Sequence, residues 1–154
     1  MRFTLVTAVD ADFEKLESQF DRELLEKLLA PGLPVSITRF DGLEDGDELH
    51  LRFGDGRFSG SWVSRIQEKA RDKNEWSYVD VGVELPPPLK SWRHKHRLLR
   101  RPAGGTFIRD EIEFSTGSRL ADAAVFPLLY AIFASRGPIY RHVFGSPASG
   151  AAPM

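Results

Sequence analysis

From Leu33 to Ser115 the apolar side chains of this chain tend to fall at every second position, and from Leu120 onward they fall at helical spacing. This switch of period constrains the fold more than any other feature. Alternate side chains of a strand point to opposite faces, whereas a helix repeats its faces about every 3.6 residues. The alternating part divides into candidate strands at Pro34–Phe40, Glu48–Phe53, Arg57–Ile66, Trp76–Leu85, Trp92–Leu99 and Thr106–Ser115. Gly, Asp and Pro fill the breaks, and Gly54-Asp55-Gly56 reads as a tight hairpin turn. Before Leu33, Phe3–Val9 is a further β-branched and apolar strand. Two short helices follow. Phe13, Leu16 and Phe20 mark the first, which Asp10 or Asp12 can cap; Leu24, Leu25, Leu28 and Leu29 mark the second, with Asp21 as its cap and Ala30-Pro31-Gly32 as its stop.

In the last segment Leu120, Ala124, Leu128 and Ile132 form one apolar row, and Val125, Leu129 and Phe133 the neighbouring row. Gly137-Pro138 kinks or interrupts this helix, and Ile139–Phe144 continues it. A sheet with one dry face must cover that face, and the C-terminal helix is the available cover. The expected fold is α+β: a curved antiparallel sheet of seven strands with two short helices and a long C-terminal helix over a cavity. Residues 1–145 form one domain, and 146–154 are expected to be a disordered tail.

A chain of 154 residues can bury a core of its own. It has no cysteine, which excludes disulfides, thiolate metal sites and a thiol nucleophile, and its net charge of −1 favours neither nucleic acid nor an acidic membrane. The N-terminus is not a convincing signal peptide, and the stretch Ala123–Ala134, broken by Pro127, is shorter than a membrane span. A cytoplasmic location is expected.

Strand parity singles out one group of side chains. On Trp92–Leu99 one face carries Arg93, Lys95 and Arg97 and must meet water, so Trp92, His94, His96 and Leu98 turn inward. On the next strand Thr106, Ile108, Asp110, Ile112 and Phe114 share the apolar face, which takes Asp110 with it. If the two strands pair, Asp110 comes near His94 or His96, and a buried carboxylate needs such a partner. Two readings stay open. The trio is a polar anchor or a general acid/base inside an apolar pocket, or it is a satisfied core network that fixes strand register. Two histidines and one aspartate could also hold zinc or iron, but histidines at i and i+2 on a strand are not strong metal spacing alone, and no metal or other cofactor is assigned. Phe58, Trp62 and Ile66 are further inward residues, read either as core or as a stacking wall. For Trp76, Tyr78 and Asp80 against Val79, Val81 and Val83 the alternation does not say which side is in. The basic run from Lys90 to Arg101 reads as a solvated strand face rather than a nucleic-acid site.

These residues resemble the START and Bet v 1-like superfamily, also called the polyketide cyclase/dehydrase and lipid-transport superfamily. The likeness is greatest to a bacterial branch attached to epimerase-like proteins of cell-division-inhibitor type. The resemblance rests on Leu28-Leu29-Ala30-Pro31-Gly32-Leu33-Pro34-Val35, Trp62 with Ile66, Tyr78-Val79-Asp80, Trp92-Arg93-His94-Lys95-His96, and Gly105-Thr106-Phe107-Ile108-Arg109-Asp110. It implies a helix-grip fold that binds a small, largely apolar ligand, lipid or polyketide-like, between sheet and C-terminal helix. Trp62, Trp92, His94, His96, Asp110, Phe58 and Phe114 are the expected contacts. Catalysis of the cyclase or dehydrase kind with a pocket histidine, or a non-catalytic protein-interaction role, are the alternatives. The partner expected is a small hydrophobic molecule, with no nucleic acid and no membrane span, and with homodimer formation left open.

Overall fold

A computed structural model describes residues 1–29, 32–54 and 59–147. The strands are β1 (Arg2–Val9), β2 (Val35–Phe40), β3 (Glu48–Phe53), β4 (Gly60–Arg71), β5 (Glu75–Glu84), β6 (Ser91–Arg100) and β7 (Thr106–Ser115); the helices are α1 (Phe13–Ser18), α2 (Arg22–Leu28), α3 (Arg119–Ala134) and α4 (Arg136–Phe144). All seven strands form one antiparallel sheet in the order β1-β7-β6-β5-β4-β3-β2. Chain neighbours therefore pair directly from β2 to β7, and α1 and α2 carry the chain from β1 at one edge to β2 at the other. The helices pack on the inner face, α1 on β6, α4 on β1 and α2, and α3 on β1 and β7. This is the expected helix-grip α+β architecture.

Two junctions fix the first and last helices. Gly105 has φ +78°, and a Cβ there would meet the Val9 carbonyl oxygen at 2.4 Å, so no side chain fits. That close approach lets the Thr106 hydroxyl donate to the Ala11 carbonyl oxygen at 2.8 Å, which pins the turn into α1. Asp12 precedes α1 but its side chain accepts no capping bond, unlike Asp21, which accepts from the Leu24 amide at 3.0 Å. At the other junction the Asp122 carboxylate accepts from both the amide (2.6 Å) and the hydroxyl (2.8 Å) of Thr116, tying the first turn of α3 to the end of β7.

Three sequence expectations change. β4 runs on past Ile66 to Arg71, because a bulge between Gln67 and Ala70 absorbs the register, with Glu68 at φ +53°. The helix breaks at Ser135, three residues before Pro138, whose missing N–H leaves the Ala134 carbonyl without its helical donor. Of the two apolar rows of α3 the first is partly outward: Leu120 is 83% and Leu128 61% exposed, while Leu129 and Phe133 of the second are buried, as is Asp122. Across the break, Arg119–Phe144 is 26 residues long and apolar enough by length and composition to cross a membrane. The shorter stretch Ala123–Ala134 had suggested otherwise, although here the helix contributes Leu129, Phe133, Tyr140 and Phe144 to the core. The hairpin expected at Gly54-Asp55-Gly56 and the tail from 148 onward fall outside the described residues.

Asp122→Asn is expected to lower the thermal midpoint at neutral pH. The Thr116 amide and hydroxyl hold the Asp122 carboxyl below its ordinary range. Its contribution is therefore present above that range and lost as the pH falls through the lowered value. Melting curves of the two proteins should converge on acidification; a gap that stays constant down to about pH 2 would contradict this account.

Candidate functional site

The site is built by register. In the β5–β6 pair Asp80 stands opposite His94 and Tyr78 opposite His96; in the β6–β7 pair His96 stands opposite Asp110. Side chains opposite one another share a face, and diagonal neighbours remain within reach. Four titratable groups from three adjacent strands thus meet on the inner face, and all are buried: Asp80, His94, His96 and Asp110.

Their contacts form a closed ring. Asp110 Oδ1 lies 2.9 Å from His94 Nε2 and 3.0 Å from His96 Nδ1. Asp80 Oδ2 lies 3.1 Å from His94 Nδ1 and 3.5 Å from His96 Nε2. The other oxygen of Asp80 anchors the aromatic wall: Oδ1 accepts from Trp92 Nε1 at 2.8 Å and from the Ser64 hydroxyl at 3.1 Å, and Ser64 Oγ in turn accepts from Trp62 Nε1 at 2.9 Å. The two indoles meet edge to face at 4.8 Å. Tyr78 stacks on His96 at 4.6 Å, and Phe133 of α3 meets the His94 ring at 4.9 Å.

Charge follows geometry. Burial pushes the Asp80 carboxyl up, but the charge of His94 and the closeness of both rings outweigh it and hold Asp80 well below the usual range. The same opposition holds Asp110 low, with the His94 hydrogen bond and the nearby His96 ring outweighing burial. For His94, burial favours the neutral ring, but the flanking carboxylates prevail and raise its pKa. Burial, with the negative charges of Asp80 and Asp110 adding to it, pushes the Tyr78 hydroxyl well up.

A cavity of about 130 Å³ lies against this wall. Its sheet side comprises Leu49 and Leu51 of β3, Trp62, Ser64 and Ile66 of β4, Tyr78 and Asp80 of β5, and Trp92, His94 and His96 of β6; α2 and α3 close the opposite side with Leu25, Leu28, Leu129 and Phe133. Leu33, also in the lining, is 46% exposed, so the cavity reaches the surface beside the connection from α2 to β2.

Of the residues expected at a site, Trp62, Trp92, His94 and His96 line this cavity, whereas Asp110 lies behind the histidines and outside the lining. Phe114 is buried but belongs to the core formed with Phe3, Trp92 and Ile112. Phe58 falls outside the described residues. Asp80 is the residue that sequence reasoning left undecided. The signal was the length of the β4–β5–β6 meander, which sets Asp80 opposite His94; the valine face of β5 masked it, since Val79 is fully buried as well. Asp80, His94 and His96 could also hold a metal ion, their ligand atoms lying within 4.8 Å of one another.

Comparison with known proteins places the fold. No family model and no curated protein matches the chain. Among solved structures, an uncharacterised protein from Bacillus thuringiensis is similar with a TM-score of 0.66 and 14% identity, covering 94% of this chain and 98% of that one. The major latex-like protein 151 of Panax ginseng gives a TM-score of 0.63 at 12% identity over 92% and 97% of the two chains. Ara h 8.0201 gives 0.56 at 17% identity over 90% and 96%. The chain shares its fold with these proteins.

Asp80→Ala removes the acceptor shared by Trp92 and Ser64 and leaves the ring lopsided in charge. A loss of about 3–5 kcal/mol is expected in urea unfolding, as for a broken buried pair. Ser64→Ala should cost only about 1 kcal/mol. Equal losses would show that Asp80 is not the hub.

Proposed function

We propose that this chain is a binding module for a small, largely apolar molecule that occupies the cavity between sheet and helices and presents one polar group to the wall formed by Asp80, His94 and His96. The single observation that carries this reading is the pairing of apolar walls with polar side chains gathered from three neighbouring strands, the usual make-up of a small-molecule site. Trp62 and Trp92 supply flat apolar contact beside that wall, and Asp110, from behind, sets the orientation of both rings. The size of the space argues for a compact ligand. An apolar cavity of about 150 Å³ holds one benzene ring, so a longer lipid would need the edge formed by α2 and β2 to move outward. The likeness to the START and Bet v 1-like fold adds support at the level of architecture. We extend the module over residues 1–145.

A thermal-shift and native mass-spectrometry screen of small cyclic alcohols, phenols and short acyl compounds tests this. A ligand present at about a hundredfold its Kd should raise the midpoint by roughly 5–10 °C. Leu51→Trp, which fills the cavity from β3, should weaken binding at least about tenfold while the protein still unfolds cooperatively. If no compound binds, or if Leu51→Trp binds as well as the parent chain, the cavity is not a ligand site.

A further inference from the structure

The ring of two carboxylates and two imidazoles has an asymmetry that simple core satisfaction does not require. A carboxylate only accepts hydrogen bonds, so His94 Nε2, hydrogen-bonded to Asp110 Oδ1 at 2.9 Å, is placed to carry a hydrogen, whereas His96 Nδ1 lies 3.0 Å from the same oxygen without a hydrogen bond. In a neutral His94 the lone pair then sits on Nδ1, and in the Nδ1–H tautomer of His96 it sits on Nε2. Both of those nitrogens face one oxygen, Asp80 Oδ2, at 3.1 and 3.5 Å. Three electron-rich atoms therefore converge on one point at the cavity wall. A hydrogen on one of the two nitrogens, or a single cation, can lie among them.

The spacing suits the cation. Nitrogen and oxygen ligands about 2.0–2.2 Å from a zinc-like ion stand about 3.0–3.5 Å apart when they occupy neighbouring coordination positions. The two Asp80 contacts fall in that interval, and all three ligand atoms lie within 4.8 Å of one another. Asp110 already occupies the outer-sphere place: it accepts from His94 Nε2, which fixes that tautomer and makes the ring a better ligand, and it stands 3.0 Å from His96 Nδ1. Stacking by Tyr78 and the edge contact with Phe133 hold the two rings still. The charge of two carboxylates is cancelled by one divalent ion. Asp80, His94 and His96 line the cavity and Asp110 does not, so the remaining coordination positions open toward the cavity.

We propose that Asp80 Oδ2, His94 Nδ1 and His96 Nε2 form a binding site for one divalent transition-metal ion, with Asp110 as the outer carboxylate that positions both histidines. Two imidazoles, one carboxylate and no thiolate select the zinc, iron, cobalt and nickel group over calcium or magnesium. The site stands on its own geometry, whether or not the cavity takes an apolar molecule.

Chelator-treated protein titrated with Co²⁺ tests this, with visible absorption as the readout and Zn²⁺ as competitor. One ion per chain is expected, displaced by Zn²⁺. His94→Ala and Asp80→Asn should lose the band, and Asp110→Asn should weaken binding about 10–100-fold. His50→Ala and His142→Ala, away from the cluster, should leave it unchanged. Absence of one-to-one binding at up to millimolar Co²⁺ and Zn²⁺, unchanged affinity in His94→Ala, or loss of binding in His50→Ala would each overturn the proposal. Should the cluster variants fail to fold, ¹⁵N NMR of the parent protein decides. Zn²⁺ must shift His94 Nδ1 and His96 Nε2 far more than the two nitrogens that face Asp110, and a shift confined to His50 or His142 overturns the assignment.

Discussion

The structure depends on the burial of two carboxylates on one face of a sheet. Neither Asp80 nor Asp110 could lie there alone, because an unpaired charge in the interior costs more than a small domain can spare. Between their strands runs β6, which sets an imidazole opposite each of them. Two histidines two residues apart on one central strand are what this arrangement requires, since only positions of equal parity share a face. The same charges lock the register. A slip of one residue along β6 would turn both rings to solvent and leave both carboxylates unpartnered.

From that ring the order spreads outward through hydrogen bonds rather than through packing alone. Asp80 holds Trp92 and Ser64, and Ser64 holds Trp62, so the indoles that form the cavity wall are fixed by the same carboxylate that holds the histidines. Opposite them the helix must deliver Leu129 and Phe133 without filling the space. The Asp122 anchor sets where α3 begins, and the break at Ser135 lets α4 turn its own buried pair, Tyr140 and Phe144, toward β1 and α1. The cavity is what remains between a polar wall that cannot be packed with aliphatic side chains and a helix held at both ends.

The fold is shared with proteins only 12–17% identical, so it does not by itself dictate the side chains of the inner face. The architecture needs alternation, turns and one apolar helix. The wall needs four particular side chains at four particular register positions. An apolar molecule would lay its body on the indoles and leucines and turn its polar group to Asp80, His94 and His96, the residues that would also hold the metal ion.

The sequence by itself determined the order of elements, the seven strands, the face on which Trp92, His94, His96 and Asp110 lie, and the place of Trp62 on an inner strand. All of these follow from periodicities of two and about 3.6, which are local properties of the chain. Only the tertiary structure decided that Asp80 belongs to the cluster, that Asp110 stands behind the histidines rather than in the cavity, that Phe114 is core, and that Leu120 and Leu128 point outward. Each of these turns on strand register, on the bulge in β4 or on the rotation of a helix about its axis. Those are set by contacts between residues far apart in the chain, and alternation within a single strand carries no information about them.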